Sequence, residues 1–464
     1  YYLYFGGIFM KTRMNFKDEF YQKLKLLVLP IAIQNFMLAL VSATDAIMLG
    51  WIDQTSLSAV SLAGQVQFVL SLFISGIAAG AGIMAAQYWG KRDAASIEKV
   101  IPIALRTNLL FSGLFTILAG FCPEMLMRIF TNDAALVASG SQYLRAVALS
   151  YVLCGISQVY LILLKNTGHA AVSSRISSTA VVLNIILNAI LIYGLCGAPA
   201  LGIRGAAYAT VAARVVELIW AYLETKKPER VRILWNRLFS SAGKILSEDF
   251  WRYTLPVLAA SLVWGIAYVL YSVIMGHMGS DAVAANSITS IAKSLLSCLI
   301  RGVSGGAGVL IGNLLGANEL EKAREYGGRL SHLSIAIGIV TGGLLMLISP
   351  AIVHFAPLSD TAAEYLQYML LFCGLNLMAQ SVNTTVLDGI FCAGGDAKFD
   401  MQGNIGAMWC FSVPLGFLAA FWLKLPVMVV YCIVNLDEIV KLPAVYHHYK
   451  KYIWVRNITR DVED

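Results

Sequence analysis

The stretch SGIAAGAGIMAAQYWGKRDAASIEK at residues 75–99 aligns without gaps with RGVSGGAGVLIGNLLGANELEKARE at residues 301–325, where each residue is numbered 226 higher than its counterpart. Four glycines of the first stretch fall on glycines of the second, and the same offset joins Pro30 to Pro256. A fixed offset maintained over this distance is typical of an internal repeat. The sequence therefore predicts two copies of one structural unit.

The rest of the chain is strongly apolar. Of the 464 residues, 58% are hydrophobic and 13% are charged, and the mean hydropathy is +0.71. An ordinary soluble domain is about 25% charged, so the sequence predicts an all-α integral membrane protein. Twelve helices of about 20 residues would place roughly half of the chain in the bilayer, which excludes a large soluble catalytic domain. The expected spans are 26–50, 59–86, 100–121, 136–164, 175–195, 202–223, 254–277, 284–312, 330–353, 364–392, 402–423 and 425–446.

The basic residues indicate how these spans are oriented. Cytoplasmic loops carry an excess of Lys and Arg, and an inside N-terminus places 27 of the 34 basic residues in inside segments and three in outside loops. Because one missed helix would invert every later loop, this distribution predicts twelve helices with both termini cytoplasmic, in the plasma membrane. The net charge of +7 has the same origin, so nucleic-acid binding is not expected. The eight cysteines lack metal-site spacing and are expected to be small core residues.

The repeat and the spans together predict the organisation of the chain. An even number of helices separates the two copies, so the lobes are expected to be related by a pseudo-two-fold axis along the membrane normal. Two six-helix lobes across a cleft are typical of alternating-access transporters, although small residues also allow close packing in a bundle without transport. The opening YYLYFGGIFM does not resemble a signal peptide. The expected divisions are a cytoplasmic segment 1–25, an N-terminal lobe 26–223, a cytoplasmic connection 224–253, a C-terminal lobe 254–446 and a cytoplasmic tail 447–464.

Several further motifs occur in a characteristic order. They are the pattern around Pro30 with TDAIMLG at 44–50, LSAVSLAGQ at 57–65, ILLKNTGHA at 162–170 and FCAGGDAKF at 391–399. With the two glycine-rich stretches, they make the chain resemble prokaryotic multidrug and toxic compound extrusion (MATE) transporters over nearly its whole length. The resemblance implies export of amphiphilic, mostly cationic organic compounds in exchange for Na⁺ or H⁺, without a cofactor.

Asp45 is an acid within the first apolar span. An ionised carboxylate there costs several kcal/mol unless a proton, a cation or a partner neutralises it. Asn184 and Asn188 share one helix face and, with Thr210, lie at a similar depth. One carboxylate with amide and hydroxyl oxygens suits Na⁺ or a proton-linked network rather than zinc or copper. Alternatively, these side chains only join helices by hydrogen bonds.

These four positions match the cation site of one MATE branch, except that the branch often has Asp where this chain has Asn188. Another branch carries a Glu eight residues after the helix 7 proline, where this chain has Trp264, and the repeat partner of Asp45 is Tyr271. The C-terminal lobe therefore lacks that coupling acid. Its own intramembrane polar residues are Lys293, Arg301, Asn376, Gln380, Asn383 and Asp388.

The substrate cleft is expected between the lobes. Lys293 and Arg301 either pair with an acid such as Asp388 or contact anionic or zwitterionic groups of a substrate. Aromatic rings attract lipophilic cations, although single aromatics at this depth usually pack. Pro30 is the expected hinge of the first helix. The candidates for the cleft are Trp264, Tyr268, Tyr271, Lys293, Arg301, Asn383 and Asp388, with Phe68 as a further aromatic.

Three functions compete with drug export. A lipid or lipid-linked oligosaccharide flippase of the same superfamily would have a more cationic cavity, for which only Lys293 and Arg301 argue. A membrane enzyme would need catalytic groups, but the six histidines lie near helix ends or in loops. No GxxxxGK[ST] phosphate loop is present, so a primary pump is excluded. The expected partners are small amphiphilic substrates and the lipid bilayer, and the protein is expected to be a monomer.

Overall fold

The structure is a computed structural model that describes residues 18–233, 238, 243–356 and 358–461. Most of the predicted segment 1–25, eight residues of the 224–253 connection and the last three of the tail lie outside the described residues. The described part of the first half, called the N-terminal lobe below, is helical almost throughout. Its helices are α1 (Glu19–Gly50), α2 (Gln54–Gly90), α3 (Ala94–Phe121), α4 (Pro123–Arg128), α5 (Ala134–Leu164), α6 (Ala170–Tyr193) and α7 (Ile203–Thr225).

The second half, called the C-terminal lobe below, repeats this plan with more interruptions. Three π-helical segments, Thr385–Phe391, Ile405–Ser412 and Leu418–Trp422, interrupt or extend its later helices. Its helices are α8 (Lys244–Gly276), α9 (Ser280–Gly316), α10 (Leu320–Phe355), α11 (Asp360–Thr384), α12 (Ala397–Asn404), α13 (Val413–Phe417), α14 (Val427–Val434) and α15 (Asp437–Tyr449).

Aspartates cap four helices of the N-terminal lobe, and Asp18 does so at the start of α1. The Asp53 carboxylate accepts from the backbone N–H of Ser56 at 2.6 Å before α2, and Asp93 repeats this contact with Ser96 at 2.9 Å before α3. Asp133 accepts from the backbone N–H groups at the start of α5. These caps satisfy N–H groups that have no partner within the helix. They fix where each short loop ends and the next long helix starts.

Ten helical runs among the described residues are long and apolar enough to cross a membrane. One of them, 134–193, contains two predicted spans, because the chain leaves helical geometry at Thr167 and Gly168 and turns back. Ser173 Oγ donates to the carbonyl of Leu161 at 3.1 Å, although twelve residues separate them. The last predicted span is broken between α14 and α15, so neither piece is long enough alone. With these two differences, the twelve-helix all-α fold is confirmed.

The close contacts between the lobes obey the 226-residue offset. A Cβ placed on Gly76 of α2 would lie 2.9 Å from the Cα of Leu258, and one placed on Gly302 of α9 would lie 2.9 Å from the Cα of Ala32. Both members of the first contact are 226 positions from those of the second. A pair of contacts exchanged in this way requires a two-fold relation between the lobes. Gly76 and Gly302 are therefore equivalent positions at which helices of opposite lobes touch.

The chain after α15 packs across the junction of the two lobes. Trp454 is fully buried against Gly327 of α10. The backbone N–H of Ile458 donates to Gln87 Oε1 at 2.8 Å, and Gln87 Nε2 donates to the carbonyl of Ala393 at 2.7 Å. Gln87, near the end of α2, thus binds both the tail and the C-terminal lobe. This end of the junction is closed.

Candidate functional site

Four polar side chains form a hydrogen-bonded chain inside the N-terminal lobe. Asn188 Nδ2 donates to Asp45 Oδ1 at 2.5 Å and to Asn184 Oδ1 at 3.4 Å. Asn184 Nδ2 donates to Thr210 Oγ1 at 3.3 Å, and the Thr210 hydroxyl donates to the carbonyl of Ala206 at 3.0 Å. The structure thus brings together Asp45, Asn184, Asn188 and Thr210, the four residues that the sequence assigns to one layer.

The packing of three helices explains this arrangement. Asn184 and Asn188 are one turn apart on α6, so their side chains lie on the same face. Helix α6 packs between α1, which carries Asp45, and α7, which carries Thr210. The Tyr193 hydroxyl donates to the carbonyl of Met48 at 2.7 Å and fixes α6 against α1. The packing of α1, α6 and α7 therefore holds the polar chain in place.

Three members of the polar chain, Asp45, Asn184 and Thr210, line a pocket of about 360 Å³ in the N-terminal lobe, and Asn188 lies behind them. Asn188 is only 1% exposed, and its Oδ1 has no hydrogen-bond donor among the described residues. This amide oxygen lies beside the half-buried Asp45 carboxylate. Hard cations prefer carboxylate and amide oxygens. The site therefore offers acceptor oxygens to Na⁺, and its carboxylate can equally take a proton.

A second acid lines the same pocket, and the sequence analysis gave it no role there. Glu217 accepts from Arg214 at 2.6 Å and from Ser157 at 2.9 Å. The side chain of Glu217 is 1% exposed and is neutralised by Arg214. Asp45, by contrast, forms an ion pair with none of the described residues. Asp45 is therefore the acid of this pocket that is left to bind a cation or proton.

The predicted hinge lies in a continuous helix. Helix α1 passes Pro30 without interruption. Proline has no N–H, so the carbonyl of Leu26 lacks its usual intrahelical donor. Fewer backbone bonds make α1 easier to bend here than elsewhere, fifteen residues before Asp45. The structure shows that Pro30 lies inside α1. Bending of the helix at Pro30 during transport stays a prediction.

A second cavity, of about 430 Å³, lies between the lobes. Helices α2 and α5 form one side of it, and α8, α9, α11, α12 and α15 form the other. Four of the residues predicted for the cleft line it, namely Trp264, Arg301, Asn383 and Asp388. Asp388 lies in the π-helical segment after α11, a type of irregularity that is frequent at functional sites.

The other three predicted cleft residues do not line this cavity. Tyr268 stacks on Trp264 with ring centroids 5.5 Å apart and is 42% exposed. Tyr271 is 8% exposed, because the helices of its own lobe cover this turn of α8 with an apolar core. Lys293 donates to Asn376 Oδ1 at 2.8 Å and has no ion pair with Asp388.

The sequence analysis missed a buried charge cluster in the C-terminal lobe. Lys441 is 5% exposed, and its Nζ lies 3.0 Å from Glu438 Oε1 and 3.8 Å from Asp437 Oδ2. It also donates to Asn404 Oδ1 at 3.1 Å, and Asn404 donates to Asp400 at 3.2 Å. The count of basic residues above includes Lys441 among those of the inside segments, but its side chain is buried within the C-terminal lobe. The spacing of three and four residues between Lys441 and its two acids was the available signal.

Long apolar helices in two related lobes, a polar pocket in one lobe and a charged cavity between the lobes define a multi-pass membrane transporter. A sequence model of the MatE family matches residues 30–190 and 256–418, at corresponding places in the two halves. The chain belongs to this family, which confirms the resemblance found in the sequence. Members of the family are transporters and not enzymes.

Known relatives cover nearly the whole chain. The probable multidrug resistance protein YoeA of Bacillus subtilis (strain 168) is 21% identical over 459 residues, which are 97% of this chain and 98% of YoeA. The uncharacterized transporter YisQ of the same strain is 21% identical over 427 residues, 92% and 93% of the two chains. The structure of a MOP superfamily transporter from Pyrococcus furiosus covers 93% of this chain and 95% of its own, with a TM-score of 0.84 and 20% identity. This structural likeness shows the fold.

Proposed function

We propose that the protein is a secondary antiporter that exports amphiphilic organic compounds in exchange for Na⁺ or H⁺. The observation that carries this proposal is the Asp45 site. The half-buried Asp45 carboxylate lines a pocket and forms no ion pair with the described residues. Beside it lies the amide oxygen of Asn188, which has no donor among those residues. A charge at membrane depth is costly unless a cation or proton compensates it. Reversible compensation at Asp45 would supply the coupling step.

The proposed mechanism is alternating access between the lobes. Cation or proton binding at Asp45 stabilises one arrangement of α1, α6 and α7, and release stabilises the other. Pro30 supplies a bending point in α1, which also packs against α9 of the opposite lobe. A change in α1 therefore reaches the walls of the cavity between the lobes. The substrate binds in that cavity.

We infer the orientation from the charges. With Lys441 reassigned, 26 basic residues remain in the predicted inside segments against three in the outside loops, which supports cytoplasmic termini in a plasma membrane protein. The closed end of the lobe junction, at Gln87 and the tail, then faces the cytoplasm. A monomer satisfies the proposal, because both lobes of the cavity come from one chain.

The experiment compares wild type and Asp45→Asn in proteoliposomes loaded with rhodamine dyes. Sodium and proton gradients are imposed separately, and dye movement against its own gradient is recorded. Wild type should concentrate dye under one of the two gradients. Asp45→Asn should bind dye but equilibrate it, because an amide cannot exchange a proton or neutralise a cation.

A conservative variant tests the site from the other direction. Asn188→Asp places a second carboxylate 2.5 Å from Asp45, so ion affinity or the pH optimum of transport should shift. Thr131→Ala, in the loop between α4 and α5, is the control and should transport as wild type. Uphill transport by Asp45→Asn at the wild-type rate would refute the proposal.

A further inference from the structure

The cavity between the lobes has a balanced set of charges. Six charged side chains line it, and three are basic and three acidic. Lys441 and Glu438 neutralise one another at 3.0 Å. Two basic and two acidic residues then remain, and none of the four forms an ion pair with any described residue. They are Lys165, Arg301, Asp388 and Asp400.

These four residues come from four different elements. Lys165 follows α5 of the N-terminal lobe, and Arg301 lies on α9. Asp388 is in the π-helical segment after α11, and Asp400 lies on α12. The acids are thus held by the later helices of the C-terminal lobe, while the bases approach from α5 and α9. A ligand between them meets both signs of charge.

The heights of Arg301 and Asp388 place their charges close together. Ser304, one turn after Arg301, donates from Oγ to the carbonyl of Thr384 at 2.8 Å, and it also packs against Gly389, next to Asp388. Three residues of helix rise by about 4.5 Å. Arg301 and Asp388 are therefore separated by roughly one turn along the cavity, yet they do not pair. Both side chains are exposed to the cavity.

Asp400 strengthens the case for a ligand. It is 7% exposed, and the one side-chain donor it has among the described residues is Asn404, at 3.2 Å. A buried carboxylate with a single neutral hydrogen bond is poorly compensated. Apolar side chains also line the cavity, namely Leu72 of α2, and Val257 and the ring of Trp264 on α8. The cavity therefore combines an apolar wall with separated charges of both signs.

We propose that the transported compound is a zwitterionic amphiphile. Its anionic group would contact Arg301 and Lys165, its ammonium would contact Asp388 and Asp400, and its apolar part would lie on Trp264. This inference rests on the proposed export function and specifies its substrate class. A purely cationic compound would leave the charges of Arg301 and Lys165 uncompensated. A purely anionic compound would leave the charges of Asp388 and Asp400 uncompensated. The volume of about 430 Å³ is that of a site for a drug-sized molecule.

The test uses two pairs of probes, and the second member of each pair lacks one of the two opposite charges of its zwitterion. Rhodamine B is a zwitterion, and its ethyl ester is a cation. Octylphosphocholine is a zwitterion, and octyl phosphate is an anion. Fluorescence anisotropy on protein in nanodiscs gives the affinity for both rhodamines, and the octyl compounds are measured by displacement of rhodamine B. Each zwitterion should bind about tenfold more tightly than its partner, the effect of one hydrogen bond to a charged group.

Variants assign each charge to its partner. Arg301→Gln should abolish the preference for rhodamine B over its ester and retain the preference for octylphosphocholine over octyl phosphate. Asp388→Asn should do the opposite. Arg145→Gln is the control. Arg145 is an exposed base of α5 that pairs with Glu124 at 3.4 Å and does not line the cavity. This variant should retain both preferences.

The result that would overturn the inference is a wild type that binds the ester as tightly as rhodamine B. An equal effect of Arg301→Gln on both rhodamines would overturn it too. No ion gradient is present, so these failures leave the antiport proposal standing, and Asp45→Asn should keep both preferences. Nanodiscs of phosphatidylglycerol and phosphatidylcholine distinguish the source of the zwitterion. Weaker binding of rhodamine B in phosphatidylcholine than in phosphatidylglycerol would assign the site to a lipid head group. Equal binding in the two lipids would assign it to a soluble amphiphile.

Discussion

Replacement of Lys441 by Met should strongly destabilise the protein, in a manner that depends on pH. Lys441 is 5% exposed, and the side chain of its nearest partner, Glu438, is 13% exposed. Removing one member of a buried ion pair costs about 3–5 kcal/mol, because the remaining charge has no compensation. Glu438 keeps only the Asn383 amide as a side-chain donor, at 2.7 Å.

Protonation limits this cost. A carboxyl group with an ordinary pKa of about 4.3 is protonated at pH 7 at a cost of about 3.7 kcal/mol, since each pH unit corresponds to about 1.4 kcal/mol. The destabilisation of Lys441→Met should therefore be about 3–4 kcal/mol at pH 7. At pH 5 the same protonation costs only about 1 kcal/mol. The variant should recover most of its lost stability there.

Two further variants separate charge from packing. The double variant Lys441→Met with Glu438→Gln removes the closest pair but leaves Asp437, which lies 3.8 Å from Lys441 in wild type, so at pH 7 it should regain about 1–2 kcal/mol of the loss. Lys244→Met is the control, because its pair with Glu248 is 4.0 Å long and the side chains are 90% and 66% exposed. Exposed pairs contribute about 0–1 kcal/mol, so the difference in unfolding free energy between this variant and wild type should be small and the same at pH 7 and pH 5.

Denaturant titration in one lipid–detergent mixture, at pH 7 and pH 5, measures all four proteins. The reasoning is refuted if Lys441→Met loses less than about 1 kcal/mol at pH 7, well below the cost of an uncompensated buried charge. It is refuted equally if the double variant is no more stable than the single one. Either result would mean that Glu438 does not depend on Lys441 in the folded lobe.

Two other predictions concern the lobe junction and the start of α1. Gly316→Ala places a Cβ against the backbone of Gln87 and should lower the unfolding temperature by the equivalent of about 1–3 kcal/mol. Gly343→Ala, the control, meets open space and should be neutral or stabilising. A larger loss of stability in Gly343→Ala than in Gly316→Ala would contradict the close contact at Gly316. Hydrogen bonds from Arg329 and from the backbone of α1 lower the pKa of Asp18, so its contribution is complete above about pH 4 and disappears as the pH falls through the lowered pKa. Asp18→Asn keeps the cap, so in thermal unfolding it should be less stable than wild type at pH 7, and the difference should shrink as the pH falls below about 4.

The sequence predicts those features that depend on period and composition. The 226-residue offset alone predicts the exchanged contacts of Gly76 and Gly302, because it specifies which positions are equivalent. Helical spacing likewise places Asn184 and Asn188 together, and depth along the spans adds Asp45. Each of these inferences needs only one helix or one repeat at a time.

The C-terminal charge cluster depends on contacts between helices. Lys441 lies near the inner end of the last predicted span, where a basic residue usually serves orientation. Its burial results from α15 packing against α11, which brings Asn383 to Glu438, and from the approach of Asn404 on α12. No spacing within one helix contains that information. The same applies to Lys293, whose partner Asn376 lies on a different helix.

In the proposed mechanism, the two sites are coupled through a wall that they share. Helix α2 contributes Gln67, Phe68 and Ser71 to the Asp45 pocket. Its next turn contributes Leu72 and Ser75 to the cavity between the lobes. The pockets have no lining residue in common, so the coupling ion and the substrate do not compete for the same groups. Any effect of the bound ion on substrate binding must therefore pass through displacement of α2 and the helices packed on it. Thermodynamic linkage then requires that each ligand change the affinity of the protein for the other ligand by the same factor.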